Sequence, residues 1–179
     1  IRLSLVGSEM CIRDSYMGLH LLEREKRACG GQPDPKPKFE GHEYILGRQL
    51  KPEARTDIIE RLAEAGIVPT SMIDITDGLA SETLHLCKSS GCGARIYLDR
   101  LPIARQTHDM AEELHADPVV AALNGGQDYE LLFTVPLSKQ QEIFALGVDV
   151  IGHVTAAGTG AMLVTPDGSE IALKAPGWK

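Results

Sequence analysis

Aromatic residues make up only 4% of the 179 residues, against 43% for apolar residues as a whole. A core is within reach, but Leu, Ile, Val and Ala must build it. Basic residues are outnumbered, 18 Lys and Arg to 25 Asp and Glu, giving a net charge of −7. That balance argues against sequence-independent binding to nucleic acid, which needs a positive surface. Phosphate ligands stay open, because a metal can carry them. No apolar run approaches the length of a membrane-spanning helix. No Gly-x-x-x-x-Gly-Lys-Ser/Thr loop occurs, so a P-loop mechanism is excluded for this chain. The six histidines (His20, His42, His85, His108, His115 and His153) form no His-x-x-Glu-His-like ligand set. Ser81 has no partner base at a recognisable spacing, which removes a hydrolase triad. The four cysteines, Cys11, Cys29, Cys87 and Cys92, match no usual zinc spacing. They read as free thiols in a reducing compartment.

What is present centres on Ser71-Met72-Ile73-Asp74-Ile75-Thr76-Asp77-Gly78-Leu79-Ala80. The apolar run followed by Gly78 reads as a short buried strand that turns into a helix. Two carboxylates and a hydroxyl sit at the turn. A helix N-terminus favours anions through its free N–H groups and dipole. Two neighbouring carboxylates repel unless a cation lies between them. A Mg²⁺ ion carrying phosphate satisfies both tendencies, since it prefers one or two carboxylates plus phosphate oxygens. The same residues fit a plainer role. Asp77 or Thr76 can be the helix N-cap, and Asp74 a solvated strand end. The capping-box partner is absent, because Ala80 stands three residues after Asp77.

Along the rest of the chain, helical patterns run from Tyr16 to Ala28, Arg55 to Ala65, Leu79 to Lys88, Arg105 to His115, from Asp117-Pro118, and from Leu137 to Leu146. The second carries Ile58, Ile59 and Leu62 on one face. Strand patterns cover 68–75, 94–98, 128–135, 148–154 and 161–165. Pro166-Asp167-Gly168 reads as a tight turn that pairs the last of these with 170–173. Helices and strands alternate irregularly, which predicts an α+β fold, a mixed β-sheet covered by helices. Gln32-Pro-Asp-Pro-Lys-Pro-Lys38 reads as a stiff linker. Residues 1–15 resemble a translated adapter sequence and are expected to stand outside the fold, so that trimming them leaves stability unchanged. Residues 16–38 then form a helix and Pro-rich linker, and 39–179 the domain proper.

Asp74-Ile-Thr-Asp-Gly-Leu79, followed by Ser90-Gly-Cys-Gly-Ala94, Leu101-Pro102 and Ala122-Leu-Asn-Gly-Gly-Gln-Asp-Tyr-Glu-Leu-Leu-Phe-Thr-Val135, resembles the C-terminal half of the thiamine-monophosphate kinase family. That family lies in the superfamily of aminoimidazole ribonucleotide synthetase and selenophosphate synthetase. The resemblance runs from about Tyr16 to Trp178. The "DxSDGL" motif is shared by the superfamily; the "GGEDYELLF" motif points to the thiamine-phosphate member.

The resemblance implies a synthetase-like C-terminal domain. It also implies ATP-dependent phosphorylation of thiamine monophosphate to thiamine diphosphate, in the cytoplasm. By the same resemblance, Asp74 and Asp77 bind Mg²⁺, and the Thr76 hydroxyl, where the family has Ser, contacts the nucleotide. Gln127 stands where the family has a substrate-contacting Glu. Gln keeps one acceptor and loses the charge, which weakens a charged hydrogen bond. Trp178, the single tryptophan, falls where the family places an aromatic against the substrate ring; a cationic thiazolium over its face is a favourable pair. The complete enzyme is implied to be a homodimer, with further metal ligands in an N-terminal half. This chain alone is expected to be inactive. Asp128 and Glu130 share a strand face and read as solvated, with no catalytic role. Two other readings are a ligand-binding module that has lost its chemistry, and another ATP-using member of the superfamily.

Overall fold

The computed structural model describes residues 3–7, 14–30, 36–126 and 129–175. Their elements, in order, are β1 (Leu3–Gly7), α1 (Asp14–Cys29), α2 (Glu43–Leu50), α3 (Thr56–Glu64), β2 (Ser71–Ile75) and α4 (Leu79–Ser90). There follow β3 (Gly93–Tyr97), α5 (Arg105–Glu113), α6 (Pro118–Asn124), β4 (Glu130–Pro136), α7 (Gln140–Ala145), β5 (Asp149–Thr155), β6 (Ala161–Val164) and β7 (Glu170–Ala172). Single 3₁₀ turns cover Leu98–Arg100 and Leu137–Lys139.

The strands form one sheet in the order β2-β4-β1-β5-β3-β6-β7. The β3–β6 pair is parallel and the other pairs are antiparallel, which makes the sheet mixed. The β6–β7 hairpin closes through the expected turn. Gly168 takes a positive φ, and Asp167 accepts from the Ser169 N–H.

Side chains alternate across the sheet, so each strand feeds two cores. One face joins Leu5, Ile75, Leu132, Ile151 and Ile96 to Leu79 and Ala80 of α4 and the half-buried Val119 and Leu123 of α6. The opposite face joins Val6, Phe133, Val135 and Val150 to Ile58 and Leu62 of α3 and Ile143 of α7. A sheet covered on both faces explains why β4 reads as a nearly unbroken apolar run. A third cluster packs α1, α2, α5 and α6 together through Met17, Leu21, Ile45, Met110 and Ala121. The α+β expectation therefore holds. On α3 the stripe is narrower than predicted, for Ile58 and Leu62 are buried while Ile59 is exposed. Glu25 of α1 accepts the Lys38 N–H at 2.8 Å, tying the end of the linker back onto the helix.

The first strand is the largest departure from the sequence reading. Leu3–Gly7 lies in the middle of the sheet, paired with β4 on one side and β5 on the other. Leu5 and Val6 are 2% and 0% exposed and enter opposite cores. The expectation that this segment stands outside the fold is reversed. Leu3-Ser4-Leu5-Val6-Gly7 is the length of a short strand, and Leu5 and Val6 fill the cores on its two sides.

Trimming residues 1–15 should therefore be destructive. Loss of Leu5 and Val6 removes about 1.5–3 kcal/mol of burial apiece and unzips two ladders. The trimmed chain should show no cooperative melting transition by circular dichroism where the full chain melts sharply. In the full chain, Leu5→Ala should cost about 2–5 kcal/mol in urea unfolding.

Candidate active site

Strand β2 lies at the edge of the sheet and delivers Asp74 to its end. Met72 and Asp74 share a face by the two-residue period. Met72 still packs against the α3–α7 core, whereas Asp74 has passed beyond it and is exposed. Ile75, pointing the other way, is fully buried. The chain then turns through Thr76, which is half-buried, and the exposed Asp77 into α4.

Neither Thr76 nor Asp77 caps that helix. The N-cap is Gly78, at φ 112° and ψ 155°, which has no side chain to accept from the first turn. The capping alternative is thus set aside, and both aspartate carboxylates stay available. The turn is held from beneath by Glu82, a residue the sequence reading passed over. Its side chain is only 3% exposed, and its Oε1 accepts the Asp77 N–H at 3.0 Å and the Thr76 hydroxyl at 3.4 Å. Glu82 lies four residues beyond the N-cap Gly78, one later than the capping-box position, which Ser81 occupies.

The second motif meets the first, backbone against backbone. A Cβ on Gly78 would lie 2.8 Å from the carbonyl oxygens of Leu123 and Gly125, and a Cβ on Gly126 would lie 2.3 Å from the Thr76 oxygen. No side chain fits at either contact, so the turns 74–78 and 124–126 touch because both carry glycine there. Gly78 also needs its positive φ, which other residues rarely adopt. The pairing continues through the Tyr129 N–H, which donates to the Ile75 oxygen at 3.1 Å, and through the β2–β4 register that sets Ile75 opposite Glu130. Tyr129 itself sits at φ 56°, an uncommon backbone state for a non-glycine residue.

Glu130 is a correction. The sequence reading left it solvated on a strand face, but the structure buries it completely. Its two oxygens are taken by Arg48 Nη2 of α2 at 2.5 Å and Arg55 Nη1 at 2.7 Å. Arg55 also grips Asp57 through Nε and Nη2, at 2.9 and 3.0 Å. That guanidinium holds the Asp57 carboxyl below its ordinary range. The start of β4, immediately after the glycine turn, is therefore pinned to α2 and to the entry of α3 by a buried ion pair. Nothing in local sequence shows this: Arg48 and Arg55 stand 82 and 75 residues from Glu130.

The other two predicted site residues, Gln127 and Trp178, lie outside the described residues. Among the described residues, no group of three or more His, Cys, Asp or Glu side chains could hold a metal ion. Asp74 and Asp77 suit a divalent cation in donor chemistry, being exposed oxygen ligands at a phosphate-favouring turn. Two carboxylates alone would supply only part of the shell such a cation takes.

A domain with this sheet, and with these two turns in contact at one end of it, falls in a known class. The family described as AIR synthase related protein, C-terminal domain, matches residues 3–165, and the chain belongs to it. Within that class the chain is similar to particular enzymes. It is 37% identical over 175 residues to the thiamine-monophosphate kinase of Escherichia coli (strain K12), and 32% identical over 167 residues to that of Aquifex aeolicus (strain VF5). Each alignment covers 93% of this chain and 48% of the relative. Among solved structures, it matches AaThiL complexed with AMPPCP and TMP with a TM-score of 0.76 and 30% identity, over all of this chain and 51% of that one. The chain spans about half the length of the curated relatives it matches.

Two substitutions test the architecture of the site. Gly126→Ala should cost about 1–3 kcal/mol in urea unfolding with an unchanged m-value, because the Thr76 backbone has to retreat. Glu130→Ala leaves two guanidinium groups facing a buried gap. It should cost toward the lower end of about 3–5 kcal/mol, since both arginines reach partly into solvent.

Proposed function

We propose that this chain is the C-terminal half of an ATP-dependent kinase that converts thiamine monophosphate to thiamine diphosphate. The contact between the Asp74–Gly78 turn and the Asn124–Gly126 turn carries the reading. The first turn, which we read as the metal and nucleotide motif, touches the second, which resembles the motif of thiamine-phosphate enzymes. The similarity to thiamine-monophosphate kinases, one of them a structure complexed with AMPPCP and TMP, supports it.

In this reading Asp74 and Asp77 hold Mg²⁺, which offsets negative charge on the nucleotide phosphates. Phosphoryl transfer is mostly positioning and charge stabilisation, so the protein's part is geometric. Glu82 fixes the Asp77 amide and the Thr76 hydroxyl from the buried side. The Thr76 oxygen, donating to Glu82, keeps its acceptor lone pairs for a nucleotide group. Gln127 and Trp178 contact the substrate, Gln127 through one neutral acceptor and Trp178 through its face. Residues 39–179 act as the synthetase-like domain, and the chain as part of a cytoplasmic homodimer. The other half supplies the missing metal donors, so this chain alone is inactive. The net charge of −7 fits a metal-mediated phosphate site better than direct anion capture by basic side chains.

The test is thiamine diphosphate formation from Mg-ATP and thiamine monophosphate, by this chain alone and co-expressed with the N-terminal half of a relative. Activity is expected only in the complex. There, Asp74→Asn or Asp77→Asn should lower kcat by about 10²–10³-fold, with excess Mg²⁺ restoring part of it. Gln127→Glu should lower the KM for thiamine monophosphate by about tenfold, the equivalent of about 1.4 kcal/mol. A folded complex without activity, still binding ligand by calorimetry, would instead support a binding module that has lost its chemistry.

A further inference from the structure

Helix α4 begins at the site turn and ends at a second, unassigned feature. Gly91 follows it in the left-handed conformation, φ 61° and ψ 37°, and the Cys92 N–H donates back to the Cys87 oxygen at 3.0 Å. That six-to-one closure folds the residue after the glycine onto the last helical turn. Here both residues brought together are cysteines. The two thiols lie close enough to influence one another electrostatically. Both are half-buried free thiols. Both line a cavity of about 30 Å³ with Leu5, Leu86, Ala94 and Val154, which leaves the sulfurs room to reorient. Burial, and then the neighbouring Cys92 thiol, push the Cys87 thiol up to about 11. Cys87 is thus the thiol held in its protonated form.

We propose that Cys87 and Cys92 form a reversible disulfide site that staples the C-terminal end of α4 to the start of β3. The oxidant is a low-molecular-weight disulfide of the glutathione class. The Cys92 thiolate attacks one sulfur of the oxidant, forming a mixed disulfide and expelling one thiolate. Cys87 then loses its proton and attacks the Cys92 sulfur, forming the internal S–S bond and expelling the second. The protein gives up two protons and two electrons, and the oxidant becomes two thiols. The six-residue loop is closed by the helix end before any oxidation occurs, so the second step is intramolecular and outcompetes a second mixed disulfide. The staple acts on α4, whose other end carries Gly78 and the Asp77 amide.

The test uses the full chain, equilibrated with oxidised glutathione and then alkylated. Trypsin cuts after Lys88, between the two cysteines, so the bond joins two peptides, Leu62–Lys88 and Ser89–Arg95. The expected result is this cross-linked pair in a non-reducing mass map, split by dithiothreitol, together with a rise in Tm of about 4–8 °C over the reduced chain. Cys87→Ser should abolish both changes and leave Cys92 carrying a glutathione adduct. Separate glutathione adducts on Cys87 and Cys92 in the unsubstituted chain, or two freely alkylated thiols, would overturn the proposal. So would a cross-link that leaves Tm unchanged.

Discussion

The site depends on a close contact between two stretches of backbone. Where the 74–78 turn meets the 124–126 turn, the distances leave no room for a Cβ on either side. Interiors are packed to near-crystalline density, so a turn cannot yield by half an ångström without moving what lies behind it. Behind the first turn are the buried Ile75 and Leu79, and behind the second is α6 against the same core. The contact transmits position: α4, β2, α6 and β4 share one set of backbone coordinates at the end of the sheet. Asp74 and Asp77 face outward from that point with their carboxylates uncommitted to capping.

Two buried carboxylates hold this arrangement. Glu82 satisfies the donors of the first turn, and Glu130 anchors the strand that leaves the second. Burying a carboxylate is costly unless it is paired or hydrogen-bonded. Glu130 meets that condition with two guanidinium groups. Glu82 meets it with an amide and a hydroxyl. The contrast with Asp74 and Asp77 is chemical: the buried pair is engaged by the protein's own donors, and the exposed pair has oxygens to offer a ligand.

Much of this was legible beforehand. The strand–turn–helix around Gly78 follows from the change of apolar period and the glycine. The α4 terminus follows from Gly91, and the β6–β7 hairpin from Pro166-Asp167-Gly168. Three things were not legible. Leu3–Gly7 has too few residues to signal a period, and only its neighbours β4 and β5 make it a central strand. Ile59 and Ile58 are alike in sequence, and only the sheet decides that Ile58 faces inward. Glu130 looks like a charge on an alternating strand until Arg48 of α2 and Arg55 at the entry of α3 arrive from far away in the chain.

By itself, then, the sequence determined the local conformations and the chemical inventory: which turns require glycine, which helices end where, and which two motifs carry carboxylates and hydroxyls. These are short-range matters, governed by φ/ψ sterics and by periodicity over a few residues. The tertiary structure decided which of those groups are consumed inside the protein and which remain for a ligand. That division turns on contacts between residues about 50 to 80 positions apart. Such contacts are set by how the sheet and its two layers of helices close over one another, and a local pattern does not encode that closure.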